Sequence, residues 1–136
     1  MKLISARAAQ IGSIVILSGI IIVHLLILTG NFPAGIVWGG RVEDHAHLVK
    51  LETISIAINS VMLLVVLMSN SNIFGGRTIG ILLWIMFVFF IFNTVGNLSS
   101  IDNTEQLVFA PFTLLLALFS LRLALHQRRT PKDVIA

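Results

Sequence analysis

The chain has 136 residues, of which 57% are hydrophobic and only 11% charged, with a mean hydropathy of +1.00. A soluble domain carries roughly 25% charged residues, so the composition points to the membrane class rather than a water-soluble fold. Cysteine is absent, which excludes disulfides, thiolate metal sites and cysteine nucleophiles.

The first candidate span runs from Ile11 to Thr29 without a formal charge. Lys2 and Arg7 precede it as in a signal peptide, but its apolar run is too long for an h-region and no A-x-A-like cleavage site follows. It reads as a retained helix. "GNFPAG" ends it with glycine and then proline, a usual stop signal. The second span covers Leu51 to Met68 and carries Glu52 at its start; an Asp44 cap would start that helix earlier. "SNSNIFGGR" leads to the third span, Thr78 to Leu98. "SSIDNTEQ" leads to the fourth, Leu107 to Leu125, with Asp102 and Glu105 suiting a capping-box variant. Pro111 lies early in this last helix and predicts either a kinked first turn or a later start. Each span approaches the 20 or so apolar residues needed to cross roughly 30 Å of hydrocarbon.

The expected architecture is all-α: one integral membrane domain over residues 1–136, an antiparallel bundle of four transmembrane helices at about 8–30, 44–69, 77–99 and 103–127. With the N-terminus inside, the inner side holds Lys2, Arg7, Arg77, Arg122, Arg128, Arg129 and Lys132, against Arg41 and Lys50 outside. That asymmetry predicts both termini in the cytoplasm, in a bacterial-type plasma (inner) membrane. The net charge of +3 is no sign of nucleic-acid binding, because much of the basic charge clusters at the C-terminal end as a membrane-surface anchor. "WGGR" at 38–41 and "FGGR" at 74–77 echo one another before successive helices. An inverted repeat would produce this, but so would the chemistry of an interfacial turn, with a ring at headgroup depth, flexible glycines and a snorkelling cation.

Ionisable and amide side chains inside a bilayer are costly, so each is a functional candidate. In a helix starting after Asp44, His45, Glu52 and Asn59 recur every seven residues and fall within about 40° of one another. Ser55 lies beside that line, making a polar seam that descends from the outer surface. His47 falls about 200° from His45, so "HAH" is no two-ligand metal clamp if the segment is helical. On the third helix, Asn93 and Asn97 share a face with Phe90 and Met86. His24 on the first helix lies about 8 Å below its outer end. His24, Glu52, Asn93 and Asn97 thus converge at one depth, with Trp38 and Arg41 at the mouth.

Plainer roles exist for the same residues. Asparagine and serine often act as interhelical hydrogen-bond glue. Glu52 would equally suit a solvated helix end paired with Lys50, Arg41 or His45, and Trp38 an interfacial anchor. Arg122, three residues before the last helix's inner end, suits snorkelling to the cytoplasm.

No H-E-x-x-H, Walker loop, dinucleotide fingerprint, G-x-S-x-G elbow or CxxCH site occurs, so no metal or cofactor is expected. The inner halves of the helices are apolar apart from Ser13, Ser18, Ser120 and Arg122, which argues against a channel. The expected function is a small membrane protein with an outward-facing polar pocket centred on Glu52, binding or transporting a small cation, a proton-coupled solute or an amphipathic ligand. Two alternatives stand beside it: a membrane-embedded enzyme using His24 and Glu52 as acid and base on lipid-like substrates, and a non-catalytic accessory or immunity-like protein. Expected partners are the lipid bilayer and a small ligand or ion, and Gly12, Gly19, Ser55 and Gly80 offer faces that would suit a homo-oligomer.

Overall fold

The computed structural model describes residues 4–38, 42, 44–71, 75–100, 103 and 105–127. Four long helices form it: α1 (Ala6–Leu28), α3 (His45–Met68), α4 (Gly76–Leu98) and α5 (Ala110–Gln127), with a short α2 (Gly35–Trp38) between the first two. All four long segments are apolar enough to cross a membrane, α5 being taken with the residues from Gln106 onward. Between 22% and 33% of each span is buried within the protein. The rest presents large apolar groups outward, among them Val15, Val61, Ile85, Phe92 and Leu107. A water-soluble monomer rarely exposes apolar area on this scale.

The helix ends follow local chemistry. Ser5 caps α1, its Oγ accepting from the Ala8 amide at 3.0 Å. Gly30, just beyond its C-terminus, takes φ 77°, a left-handed conformation that favours glycine. Asp44 caps α3 by accepting from the His47 amide at 2.7 Å. The fourth span begins differently from a plain helix. Glu105–Phe109 form a π-helical turn and the α-helix starts at Ala110. Pro111 has no N–H to return to the carbonyl four residues back, and a wider turn just before it accommodates that loss. The expected Asp102–Glu105 cap involves atoms outside the described residues, where residues 39–41 and 74 of the two aromatic-Gly-Gly-Arg turns also lie.

Consecutive long helices run antiparallel. Gln10 near the start of α1 meets Val66 near the end of α3, while His24 near the end of α1 meets Glu52 near the start of α3. Likewise Thr94 meets Thr113 at one end of the α4–α5 pair, and Gly80 faces Gln127 at the other. These two hairpins join through α1 and α5, whereas α3 and α4 touch sparingly.

The end of the bundle that holds the termini of α1 and α5 is tightly tied. Leu17, Val66, Leu83, Leu116 and Leu123 form its dry centre. Gly12 lets the Phe119 ring lie against the α1 backbone, where an added Cβ would sit 2.5 Å from Cε2. Gln10 donates to the Val66 carbonyl at 3.0 Å and accepts from Asn70 at 2.7 Å, and Gln127 donates to the Ser69 carbonyl. Arg122 reaches toward the chain just before α1. Its Nε–H donates to the Ile4 carbonyl at 2.7 Å and the side chain is half-buried. An open carbonyl at the entry to α1 supplies a nearer partner than water. Toward the opposite end, where His24, Asn59, Asn93 and Asn97 lie, a cavity opens among the helices.

Candidate functional site

Glu52 is the most telling residue in this opposite half. It is 0% exposed, and a carboxyl so placed needs partners for both oxygens. It has them. His24 Nδ1 lies 2.6 Å from Oε2, and the Trp38 indole N–H donates to Oε1 at 2.7 Å. Three separate elements therefore meet on one carboxyl group: α1 brings His24, α2 brings Trp38 and α3 brings Glu52. The His24 and Trp38 rings lie 6.3 Å apart at a 45° tilt, covering the carboxyl like a lid.

The local chain explains the convergence. α1 closes at Thr29–Gly30, Pro33 interrupts any continuation, and the single turn of α2 folds back toward the start of α3. Trp38 is its last residue. An apolar ring with one N–H donor suits such a half-buried site. The solvated-end role of Glu52 gives way to this contact.

Beside His24 and Trp38 lies a cavity of about 670 Å³, within the usual size range of small-molecule sites. α1 contributes Ile16, Gly19, Ile20 and Val23 to its wall, α4 Phe89 and Phe90, the π-helical turn Phe109 and α5 Phe112. Val15, Gly19, Ile58, Phe89 and Phe112 belong both to this wall and to the exposed surface. Val15, Gly19, Ile58 and Phe89 are mid-helix positions, so the cavity opens sideways between helices. Its polar wall groups are His24, Trp38, Ser55, Asn59, Asn93, Asn97 and Thr113; among the described residues no Lys, Arg, Asp or Glu lines it.

The candidates named from the sequence thus fall into distinct places. His24, Trp38, Ser55, Asn59, Asn93 and Asn97 face the cavity. Glu52 does not; it reaches the cavity only through His24 and Trp38. His45 is exposed in the first turn of α3, away from the wall. Arg41 lies outside the described residues. Among the described residues no three His, Asp or Glu side chains gather as a metal site would require.

The asparagines differ from interhelical glue in an instructive way. Asn59 donates to the Ser55 carbonyl at 2.8 Å and Asn93 to the Phe89 carbonyl at 2.9 Å, each within its own helix. Asn97 alone reaches across, to Thr113 Oγ1 at 3.4 Å. Thr113 is the polar residue that sequence reasoning missed. Its hydroxyl also meets Thr94 Oγ1 at 3.0 Å, joining α4 to α5 beside the cavity. Its signal was faint: one threonine in an apolar span.

Comparison with protein-family models, with curated proteins and with solved structures finds no match.

Proposed function

We propose that this chain is an integral membrane protein, with both termini in the cytoplasm of a bacterial-type inner membrane, that binds one amphipathic small molecule in the cavity beside His24. One observation carries the reading. An apolar cavity open to the side coincides with a histidine whose other ring nitrogen is held by a fully buried glutamate. Nδ1 is taken by Glu52, so Nε2 is the nitrogen left to a ligand, in an orientation the carboxylate fixes. The largely aliphatic and aromatic walls suit a hydrocarbon tail, and lateral openings suit entry from lipid. A hydrated inorganic cation fits less well, because the walls are largely apolar and would strip its water without replacing it. A transport path is also disfavoured, because Leu17, Val66, Leu83 and Leu116 fill the other half of the bundle.

Two measurements test this. Gly19 has no heavy atom within 4 Å of a built Cβ, so Gly19→Trp places a ring in the cavity without displacing the core. Native mass spectrometry of the detergent-released protein should show a bound amphiphile on the wild type that Gly19→Trp loses; equal occupancy would overturn the reading. The cysteine-free chain also permits single-cysteine mapping. An impermeant maleimide should label Ser99→Cys but not Ser5→Cys in intact cells, and the reverse would invert the topology.

The same short His24–Glu52 contact favours one second reading, proton transfer at the head of a lipid-like substrate. Glu52 would then orient the ring and balance its charge, while His24 Nε2 alone handled the proton. Turnover of a bound ligand, abolished by His24→Gln with binding retained, distinguishes this reading from simple binding.

A further inference from the structure

The chemical class of the ligand follows from which polar atoms of this cavity are still free, an argument that rests on the cavity-binding reading above. The Trp38 N–H is committed to Glu52 Oε1. Asn59 and Asn93 each commit one amide N–H to their own helix, and Asn97 commits one to Thr113. The Thr113 hydroxyl lies within hydrogen-bond reach of the Phe109 and Ala110 carbonyls. Much of the donor capacity is therefore used internally, whereas among the described residues no donor reaches the side-chain oxygens of Asn59, Asn93 or Asn97.

His24 adds to the same bias. Both oxygens of Glu52 are engaged, Oε1 as an acceptor from an indole that can only donate. With Glu52 as the carboxylate and the shared proton on His24 Nδ1, Nε2 offers a lone pair to the cavity. One N–H of each asparagine and the Ser55 hydroxyl remain as donors, but each asparagine oxygen offers two lone pairs and Nε2 one, so open lone pairs outnumber open donors. A buried carboxylate stands one hydrogen bond behind them, and no described wall residue supplies a cation. Aromatic rings of Trp38, Phe89, Phe90 and Phe109 complete the wall, and their faces attract positive charge.

We propose that the cavity selects amphiphiles whose polar end is an alkylammonium group. The ammonium donates to His24 Nε2 and to asparagine oxygens, Glu52 balances its charge through the imidazole, and the alkyl chain lies against the apolar walls. An alcohol offers one neutral donor and forgoes the charge. A carboxylate brings further lone pairs and negative charge to a site already rich in both, so it is repelled.

The chain has only two tryptophans, so Trp84→Phe leaves Trp38, in the cavity wall, as the sole fluorophore. In phosphatidylcholine nanodiscs near neutral pH, mid-chain-brominated dodecylamine, dodecanol and dodecanoate are titrated and Trp38 quenching is read. The amine is expected to quench at about tenfold lower concentration than either competitor. Glu52→Gln should erase that preference, because a carboxamide N–H donating to Nδ1 leaves the ring proton on Nε2. Equal or tighter binding of the alcohol or the carboxylate, still abolished by Gly19→Phe, which fills the cavity without adding a fluorophore, overturns the ammonium assignment and leaves the cavity reading standing. A full amine preference in Glu52→Gln overturns it as well. Quenching of Trp38 by all three that Gly19→Phe does not change overturns the cavity reading itself.

Discussion

Replacing Glu52 by leucine tests whether the buried carboxyl holds α1, α2 and α3 together. Leucine fills similar space and removes a buried charge, which by itself is often neutral or stabilising. It also takes the acceptor from two donors at once, the Trp38 indole N–H and the Nδ1 side of His24. An orphaned buried donor costs about 1–3 kcal/mol. Two features lower that figure here. Trp38 is only half-buried and can turn toward another acceptor, and helices unfolded within a membrane find other partners, so measured interhelical hydrogen bonds average about 0.6 kcal/mol. The net expectation for Glu52→Leu is a loss of about 2–3 kcal/mol. Glu52→Gln keeps an oxygen for Trp38 and an N–H for His24, and should lose about 1 kcal/mol. Adding His24→Phe to Glu52→Leu should recover part of the loss, since α1 then carries no donor to satisfy. Reversible unfolding in mixed micelles, titrated with sodium dodecyl sulfate and followed by tryptophan fluorescence, measures all three. A Glu52→Leu protein as stable as the wild type would refute the claim that this contact positions the three elements.

Other expectations concern the frame around the site. Gly12→Ala should destabilise by about 1–3 kcal/mol, because its Cβ would meet the Phe119 ring; adding Phe119→Leu should restore most of it in the same unfolding assay. Thr113→Val removes the hydroxyl shared by Thr94 and Asn97 and should cost about 0.6–1.7 kcal/mol, with a wider α4–α5 separation by spin-label distances. Arg122→Met removes the donor to the Ile4 carbonyl; hydrogen exchange should accelerate over residues 5–9 while the centre of α1 stays protected.

What the sequence by itself determined is the part governed by composition and nearest neighbours. Long charge-free runs and polar turns located the four helices to within a few residues, because the length needed to cross hydrocarbon is a property of each segment alone. The Asp44 cap was legible for the same reason, since its partner is three residues away. The helical phase of α3 placed Ser55 and Asn59 on one seam, and both do line the cavity. His45 shares that phase yet stays exposed, because the helix has only begun at its position and nothing packs over it.

Tertiary structure alone decided the rest. Apolar residues surround every helix, so no periodic pattern reveals which face turns inward. That Glu52 is fully covered depends on a single turn, Gly35–Trp38, bringing an indole back across fourteen residues of chain to a carboxyl already met by His24. The asparagines resemble interhelical glue in one dimension. In three, α3 and α4 touch sparingly, and Asn59 and Asn93 each bond the backbone of their own helix. Both residues line a cavity whose wall is assembled from several helices, which no single segment could reveal.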